Sequence, residues 1–275
     1  MVRYAFPFFS KNGVILPMER AVVPLASIEY SYGFGVYETI CVRNGELLFL
    51  GDHTERLLRS ASLLKLKHTL KAEILEQWAQ ALSEKLQDDS YNLKILLIGA
   101  KQEADVTLAI IPLQPRFPEK KWYKRGVETI TVAFDRPIPT AKTLNMLRSY
   151  LAQREATEHG CYEALSLHED GCIYEGTRSN FYAVRGGAVI TPPRGTILEG
   201  ITQTHVLALA REHGIEVRED RIPAAEIPNF DGAFLTSSSA KVMPIRKIGS
   251  HEFAGIPETT KRLMGLYDAL LHEQK

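Results

Sequence analysis

The sequence predicts an α+β chain built as two lobes with largely antiparallel strands. Three observations carry that reading. Short alternating runs close on Asn-Gly or Asp-Gly turns, helical repeats lie between those runs, and a stretch rich in proline and charge divides the chain. At 275 residues there is room for two moderate domains. The expected division is 1–112 for the first, 113–122 for a linker and 123–275 for the second.

The elements follow in order. Residues 38–42 and 46–50 flank Arg43-Asn44-Gly45, and Asn-Gly is the strongest short hairpin signal. A helix over 54–66 carries Leu57, Leu58, Ala61 and Leu64 on one face, and a second over 72–86 carries Leu75, Trp78, Ala79 and Leu82. The linker is Pro112-Leu113-Gln114-Pro115-Arg116-Phe117-Pro118-Glu119-Lys120-Lys121. Beyond it, 127–134 alternates as a half-buried strand does. Met146, Leu147, Tyr150 and Leu151 then recur at helical spacing, with Gly160 as a stop. Residues 163–167 and 172–174 flank Asp170-Gly171 as a second hairpin, and 181–184 turns through Arg185-Gly186-Gly187 into 188–190. Helices over 202–212 and 258–272 complete the second lobe.

Hydrophobic residues make up 45% and charged residues 24%, as in ordinary globular proteins. Lysine plus arginine equals aspartate plus glutamate, 33 against 33, so no basic excess points to nucleic acid or to an anionic membrane surface. A small-molecule partner is expected. Cys41, Cys161 and Cys172 form neither an even set nor a Cys-x-x-Cys pair, so neither a disulfide framework nor a metal site is expected. No apolar run approaches the roughly 18 residues of a membrane span, and no signal-peptide pattern opens the chain. The expectation is a cytoplasmic protein with reduced thiols.

Chemistry concentrates at Ala141-Lys142-Thr143-Leu144-Asn145, which sets one lysine between the 127–134 strand and a helix. A lysine with an apolar stem at such a junction can lose solvation, which favours the neutral amine that Schiff-base chemistry requires. Four other features gain meaning if Lys142 carries an aldehyde cofactor bearing a phosphate. Arg56, in His53-Thr54-Glu55-Arg56-Leu57 at the expected helix start, can clamp a phosphate, or is a solvated surface arginine. Ile201 and Thr202, after Leu198-Glu199-Gly200, offer backbone N–H groups, a hydroxyl and a helix dipole to an anion, or Thr202 caps the helix. Ser238, in Thr236-Ser237-Ser238-Ser239, can complete a phosphate cradle or belong to a plain turn. As a nucleophile it lacks a Gly-x-Ser-x-Gly elbow and a recognisable base. Glu175, beside Gly176, can face a buried pyridine nitrogen, or is a turn carboxylate in water.

With these residues in hand the chain resembles the fold-type IV pyridoxal-phosphate enzymes, the class IV aminotransferases. That group includes D-amino-acid and branched-chain aminotransferases and 4-amino-4-deoxychorismate lyase. The matching segments are Tyr32-Gly33-Phe34-Gly35-Val36-Tyr37-Glu38-Thr39, His53 to Leu57, Lys142 to Asn145, Glu175 to Phe181, Leu198 to Thr202 and Phe234 to Pro244. They occur in the family's order and cover most of the chain. The resemblance implies a smaller N-terminal sandwich-like domain and a larger C-terminal pseudo-barrel. It implies that Lys142 binds pyridoxal 5'-phosphate as a Schiff base and shuttles protons between the substrate α-carbon and the cofactor C4′ carbon. Glu175 would pair with the pyridine nitrogen, and Arg56, Ile201, Thr202 and Ser238 would hold the phosphate. Tyr37 would point into the substrate pocket. A homodimer is also implied.

The reaction so implied moves an amino group between a D-amino acid, a branched-chain amino acid or an amine and a 2-oxo acid. A lyase on the same scaffold is the alternative, followed by a non-catalytic binding protein. The chain departs from its relatives in ways that bear on substrate. Met146 stands where branched-chain enzymes usually have tyrosine. Tyr37-Glu38-Thr39-Ile40-Cys41 stands where they favour Phe-Glu-Gly-x-Arg. Where D-amino-acid enzymes carry an Arg-x-His pair for the substrate carboxylate, this chain reads Ile98-Gly99-Ala100-Lys101-Gln102-Glu103-Ala104-Asp105. Glu103 and Asp105 cannot act as a cationic clamp. Either another cation acts, with Arg178, Lys101 and Arg43 as the candidates and Arg178 taken as a pocket residue, or the preferred amino donor differs from the family norm.

Overall fold

The computed structural model describes residues 4–115 and 117–273. Arg116, inside the expected linker, lies outside the described residues. The chain groups into two units, Met1–Arg116 with Ala141–Met146, and Phe117–Thr140 with Leu147–Lys275. The Lys142 segment, expected with the second domain, thus groups with the first.

In the first unit the elements are β1 (Phe8–Lys11), β2 (Val14–Pro17), a short α1 (Ile28–Ser31), β3 (Gly35–Arg43) and β4 (Glu46–Leu47). Then come α2 (Leu50–Leu63), α3 (Ala72–Leu86), β5 (Ser90–Ile98) and β6 (Thr107–Leu113). The strands form one sheet in the order β2-β1-β6-β5-β3-β4. Every pairing in it is antiparallel. The Asn44-Gly45 hairpin forms as expected, with φ of 51° and 79°, the left-handed pair that a tight two-residue turn requires. The strand expected to run on to residue 50 stops at Leu47. Phe49 adopts φ 55°, which turns the chain into α2 four residues earlier than expected. Leu57, Ala61, Leu75, Ala79 and Leu82 of the two helices pack with Val36, Ile40, Leu93, Ile95 and Leu97 of the sheet. Burying each large aliphatic side chain contributes about 1.5–3 kcal/mol.

The second unit contains α4 (Lys120–Arg125), β7 (Val127–Ala133), α5 (Leu147–Glu158), β8 (Glu163–Leu167), β9 (Ile173–Gly176), β10 (Asn180–Arg185) and β11 (Ala188–Thr191). It continues through α6 (Ile201–Glu212), β12 (Val217–Glu219), β13 (Gly232–Ser237), β14 (Lys241–Ile248), β15 (His251–Glu252) and α7 (Glu258–Glu273). Strands β10-β13-β14-β7-β8-β9 are neighbours in that order, and β9 pairs back to β10 through Glu175 and Asn180. That last pairing closes a six-stranded ring, the pseudo-barrel that the family resemblance implies. Its interior is built from Leu165, Ile173, Phe181, Ala183, Leu235, Met243 and Ile245.

One expected face is reversed. In α5, Leu147, Tyr150 and Leu151 are 65%, 61% and 51% exposed, so they do not form the buried stripe. The buried side is Ser149, Ala152 and Ala156, and the two alanines pack against Phe134 and Ala164. Small side chains let this helix lie close to its strands, which a count of apolar residues does not register.

Candidate active site

In the first unit, Lys142 is fixed by its backbone. Its N–H donates to the Ser60 hydroxyl at 3.1 Å, and its carbonyl accepts from the Tyr37 N–H at 3.0 Å. Leu144 N–H donates to the Gly35 carbonyl at 2.9 Å, and Thr143 bridges to Val36 in antiparallel fashion. The segment therefore lies along the start of β3 like an added strand. Glycine at 35 is required for that approach, since a Cβ there would stand 2.6 Å from the Leu97 carbonyl oxygen and 2.7 Å from Leu144 Cδ1. The half-buried Lys142 sets its Nζ 4.7 Å from the Tyr37 ring centroid. Among the described residues no carboxylate pairs with this ammonium. The Tyr37 hydroxyl points to Met146 Sδ at 3.7 Å.

Arg56 corrects the sequence reading. It lies in the second turn of α2, not at its start, and it is buried rather than solvated. Its Nε and Nη2 donate to the two Glu38 carboxylate oxygens at 2.7 and 2.6 Å, a two-point pair. His53 Nδ1 lies 2.7 Å from Glu38 Oε2. Burial pushes the Glu38 carboxyl up, but the Arg56 and His53 charges and their hydrogen bonds more than reverse it, holding it well below the usual carboxylate range. Burial pushes the His53 imidazole down against the pull of Glu38. A neutral His53 beside an ionised carboxylate donates through Nδ1–H, which fixes its tautomer.

In the second unit, Glu175 is buried in β9, not a turn carboxylate in water. Arg136 Nε and Nη2 donate to its oxygens at 2.6 and 3.1 Å, and the Leu198 N–H reaches Oε2 at 3.4 Å. Arg136 also donates to the Pro139 carbonyl. Ile201 and Thr202 are the first two residues of α6, so their N–H groups have no carbonyl one turn back. The cap is Gly200, whose N–H donates to the Gln203 side chain at 3.1 Å, so Thr202 is not the capping residue. Thr202 is buried, and its Oγ1 accepts from the Tyr267 hydroxyl at 3.4 Å. Ser238 is half-buried in the turn between β13 and β14, where Ala240 N–H donates to Ser237 Oγ at 3.2 Å.

Arg178 is exposed in the turn after β9. That turn is held by buried Glu163, which accepts from Thr177 N–H at 3.1 Å, Thr177 Oγ1 at 2.5 Å and Ser179 Oγ at 3.0 Å. Burial pushes the Glu163 carboxyl up despite these donors. Lys101 and the short helical turn Glu103–Asp105 are exposed beyond β5. The residues that sequence reasoning missed are Arg136, the Glu38–His53 partnership and Lys94, whose Nζ lies 5.1 Å from the same Tyr37 ring centroid. Glu38 and His53 stood inside quoted motifs, but nothing local marks Arg136 or Lys94.

The family model for amino-transferase class IV matches residues 35–248. The D-alanine aminotransferase of Bacillus licheniformis is 32% identical over 249 residues, covering 86% of this chain and 87% of its own length. A putative branched-chain-amino-acid aminotransferase of Methanocaldococcus jannaschii is 31% identical, covering 92% of each chain. The crystal structure of the branched-chain aminotransferase of Thermoproteus uzoniensis with norvaline superimposes with a TM-score of 0.89 at 28% identity, covering 98% of this chain and 96% of that one. A holo-form branched-chain aminotransferase of Thermobaculum terrenum gives 0.86 at 28% identity, covering 98% and 95%. The chain belongs to the class IV aminotransferases.

Proposed function

We propose that this chain is a pyridoxal-phosphate-dependent aminotransferase. It moves an amino group between an amino acid of D or branched-chain type, or an amine, and a 2-oxo acid. The observation that carries the reading is Lys142, an ammonium fixed through its backbone and without a carboxylate partner among the described residues. The donor set fits the cofactor: a lysine for its aldehyde, a buried carboxylate for its ring nitrogen, and unsatisfied helix N–H groups for its phosphate. When bound, pyridoxal phosphate supplies an electrophilic carbon for amines and a ring that accepts the electron pair left by a departing α-proton.

The residues divide that work. Lys142 Nζ would hold the cofactor and, once an incoming amine takes its place, move a proton to and from the substrate α-carbon. Glu175, oriented by Arg136, would accept the ring N–H. Ile201 and Thr202 N–H, the Thr202 hydroxyl and Ser238 would bind the phosphate, and Arg56 would add positive charge while Glu38 holds its Nε and Nη2. Tyr37 and Arg178 would border the substrate.

A homodimer in the cytoplasm completes the proposal. Val22, Leu25 and Tyr32 are 73%, 100% and 76% exposed, apolar surface of the kind a second subunit covers. Cys41, Cys161 and Cys172 form no disulfide with one another, which suits a reducing compartment. Light scattering is expected to read twice the chain mass.

The test is incubation with pyridoxal phosphate, then a donor panel of D-alanine, D-glutamate, L-leucine, L-glutamate and (R)-1-phenylethylamine with pyruvate or 2-oxoglutarate. A visible absorption band and stoichiometric amination of the acceptor are expected. A banded protein that converts no donor, or no band at all, would overturn the assignment.

A further inference from the structure

The second unit holds a cavity of about 300 Å³, lined by none of the residues assigned to the proposed reaction. It lies where β7 begins, between α4, the Gly160–Tyr162 turn that enters β8, and β14. The Tyr123 hydroxyl donates to the Ala240 carbonyl at 3.1 Å, which pins α4 to the turn between β13 and β14. Gly126 ends that helix with φ 79°, and its N–H donates to the Trp122 carbonyl at 2.8 Å. A Cβ at Gly126 would stand 2.8 Å from the Arg246 backbone nitrogen, so only glycine lets the helix end lie against β14. Opposite it, the pairing of β14 with β7 slips between Ile245 and Lys247, which leaves Arg246 outside the register. Such an irregularity re-aims a side chain.

The wall of this cavity has an excess of donors. Arg246 Nη1 donates to Glu252 at 2.7 Å and Nη2 to Glu128, and Lys247 Nζ lies 4.0 Å from the other Glu128 oxygen. The carboxylate that lines the cavity is therefore already occupied. By contrast, the Arg125 guanidinium, the Trp122 indole N–H and the Tyr162 hydroxyl have no hydrogen-bond or ion-pair partner among the described residues. The first two can only donate. Burial pushes the Tyr162 hydroxyl up to about 12, so it keeps its proton at neutral pH. The Trp122 and Tyr162 rings meet edge to face at 5.2 Å and 71°, and both are half-buried, so part of each ring stays uncovered.

A ligand that suits this wall brings a flat ring, acceptor atoms and a negative charge. We propose that the cavity binds a small aromatic carboxylate, with its ring against Trp122 and Tyr162 and its carboxylate at Arg125. A volume near 300 Å³ lies at the small end of ligand pockets, which suits an acid of one or two rings. The site is distinct from the one at Glu175. The Glu175 N–H donates to Ser166 Oγ, and Ser166 pairs with Val132, four residues along β7 from Glu128 and so roughly 13 Å away.

The experiment titrates 2-naphthoate and its uncharged counterpart 2-naphthamide calorimetrically into wild type, Trp122→Leu, Arg125→Gln and Arg125→Lys, each incubated with pyridoxal phosphate. Cys161 lines the cavity, whereas Cys41 and Cys172 are buried. Alkylation of Cys161 by N-ethylmaleimide, read by peptide mass analysis, therefore reports locally. Saturable naphthoate binding that slows this alkylation is expected. Trp122→Leu should weaken it about threefold to tenfold, the range for one aromatic contact. Arg125 is exposed, so its variants keep the fold, and Arg125→Gln should weaken binding about threefold to fivefold. Arg125→Lys should recover most of that loss, and naphthamide should bind wild type as weakly as naphthoate binds Arg125→Gln. No saturable binding, equal affinity for acid and amide, or affinity unchanged in both Trp122→Leu and Arg125→Gln overturns the proposal. So does naphthoate that competes with pyruvate and leaves Cys161 unprotected, since it then sits at the reaction site.

Discussion

Arg136 and Glu175 form a two-point ion pair, at 2.6 and 3.1 Å, with side chains only 12% and 10% exposed. Both ends are therefore largely withdrawn from water, and removing one leaves the other a buried charge without this counter-charge. Arg136→Leu is expected to destabilise the second unit by about 3–5 kcal/mol. Arg136→Lys should lose less, since one donor to Glu175 survives. Urea denaturation checks this, and an Arg136→Leu variant as stable as wild type would show that the pair contributes little.

The Glu38–His53–Arg56 cluster makes stability pH-dependent. Folded Glu38 lies below its ordinary value of 4.5, and folded His53 below its ordinary 6.5. Both are depressed, so the unfolded chain binds more protons as pH falls. The stabilisation is full above about pH 6.5, declines first through His53, and declines further below about pH 4.5 through Glu38. Glu38→Gln removes the carboxylate charge from the two-point pair with buried Arg56, at a cost of about 3–5 kcal/mol near neutrality. It also removes the Glu38 part of the acid sensitivity. Denaturant melts across pH measure both effects.

Gly200 stands where α6 begins and where Asn180 passes. A Cβ at Gly200 would lie 2.1 Å from Asn180 Oδ1, and Asn180 Nδ2 donates to the Leu198 carbonyl at 2.7 Å. Gly200→Ala is expected to cost about 1–3 kcal/mol by overpacking. It should also weaken cofactor binding, because the Ile201 and Thr202 N–H groups move with the helix start. Equilibrium titration with pyridoxal phosphate beside a thermal melt tests both, and unchanged affinity would detach this helix end from the phosphate.

How much was legible follows from how local each signal is. The Asn44-Gly45 and Asp170-Gly171 hairpins were readable because turn chemistry sits within a few residues. The helix Ala72–Leu86 was readable because Leu75, Ala79 and Leu82 repeat on its buried face. Arg56 was misplaced because α2 starts at Leu50, which turns Arg56 inward beside His53. Its partner Glu38 lies 18 residues away on β3, and Arg136 is 39 residues from Glu175. No periodicity encodes either pairing. Lys94 reaches the Tyr37 ring only through the β3–β5 register, which sets it opposite Thr39. The α5 face inverted because Ser149, Ala152 and Ala156 allow close packing while Leu147, Tyr150 and Leu151 remain outside.

The central claim is that the Lys142 amine binds pyridoxal phosphate covalently. Borohydride reduction of the loaded protein followed by peptide mass analysis tests it most directly. The expected result is a cofactor-sized mass increment on the peptide containing Lys142, absent from Lys142→Ala, with transamination by that variant reduced at least about a thousandfold, a few kcal/mol of barrier. An increment on another lysine, or a Lys142→Ala variant that transaminates like wild type, would contradict it.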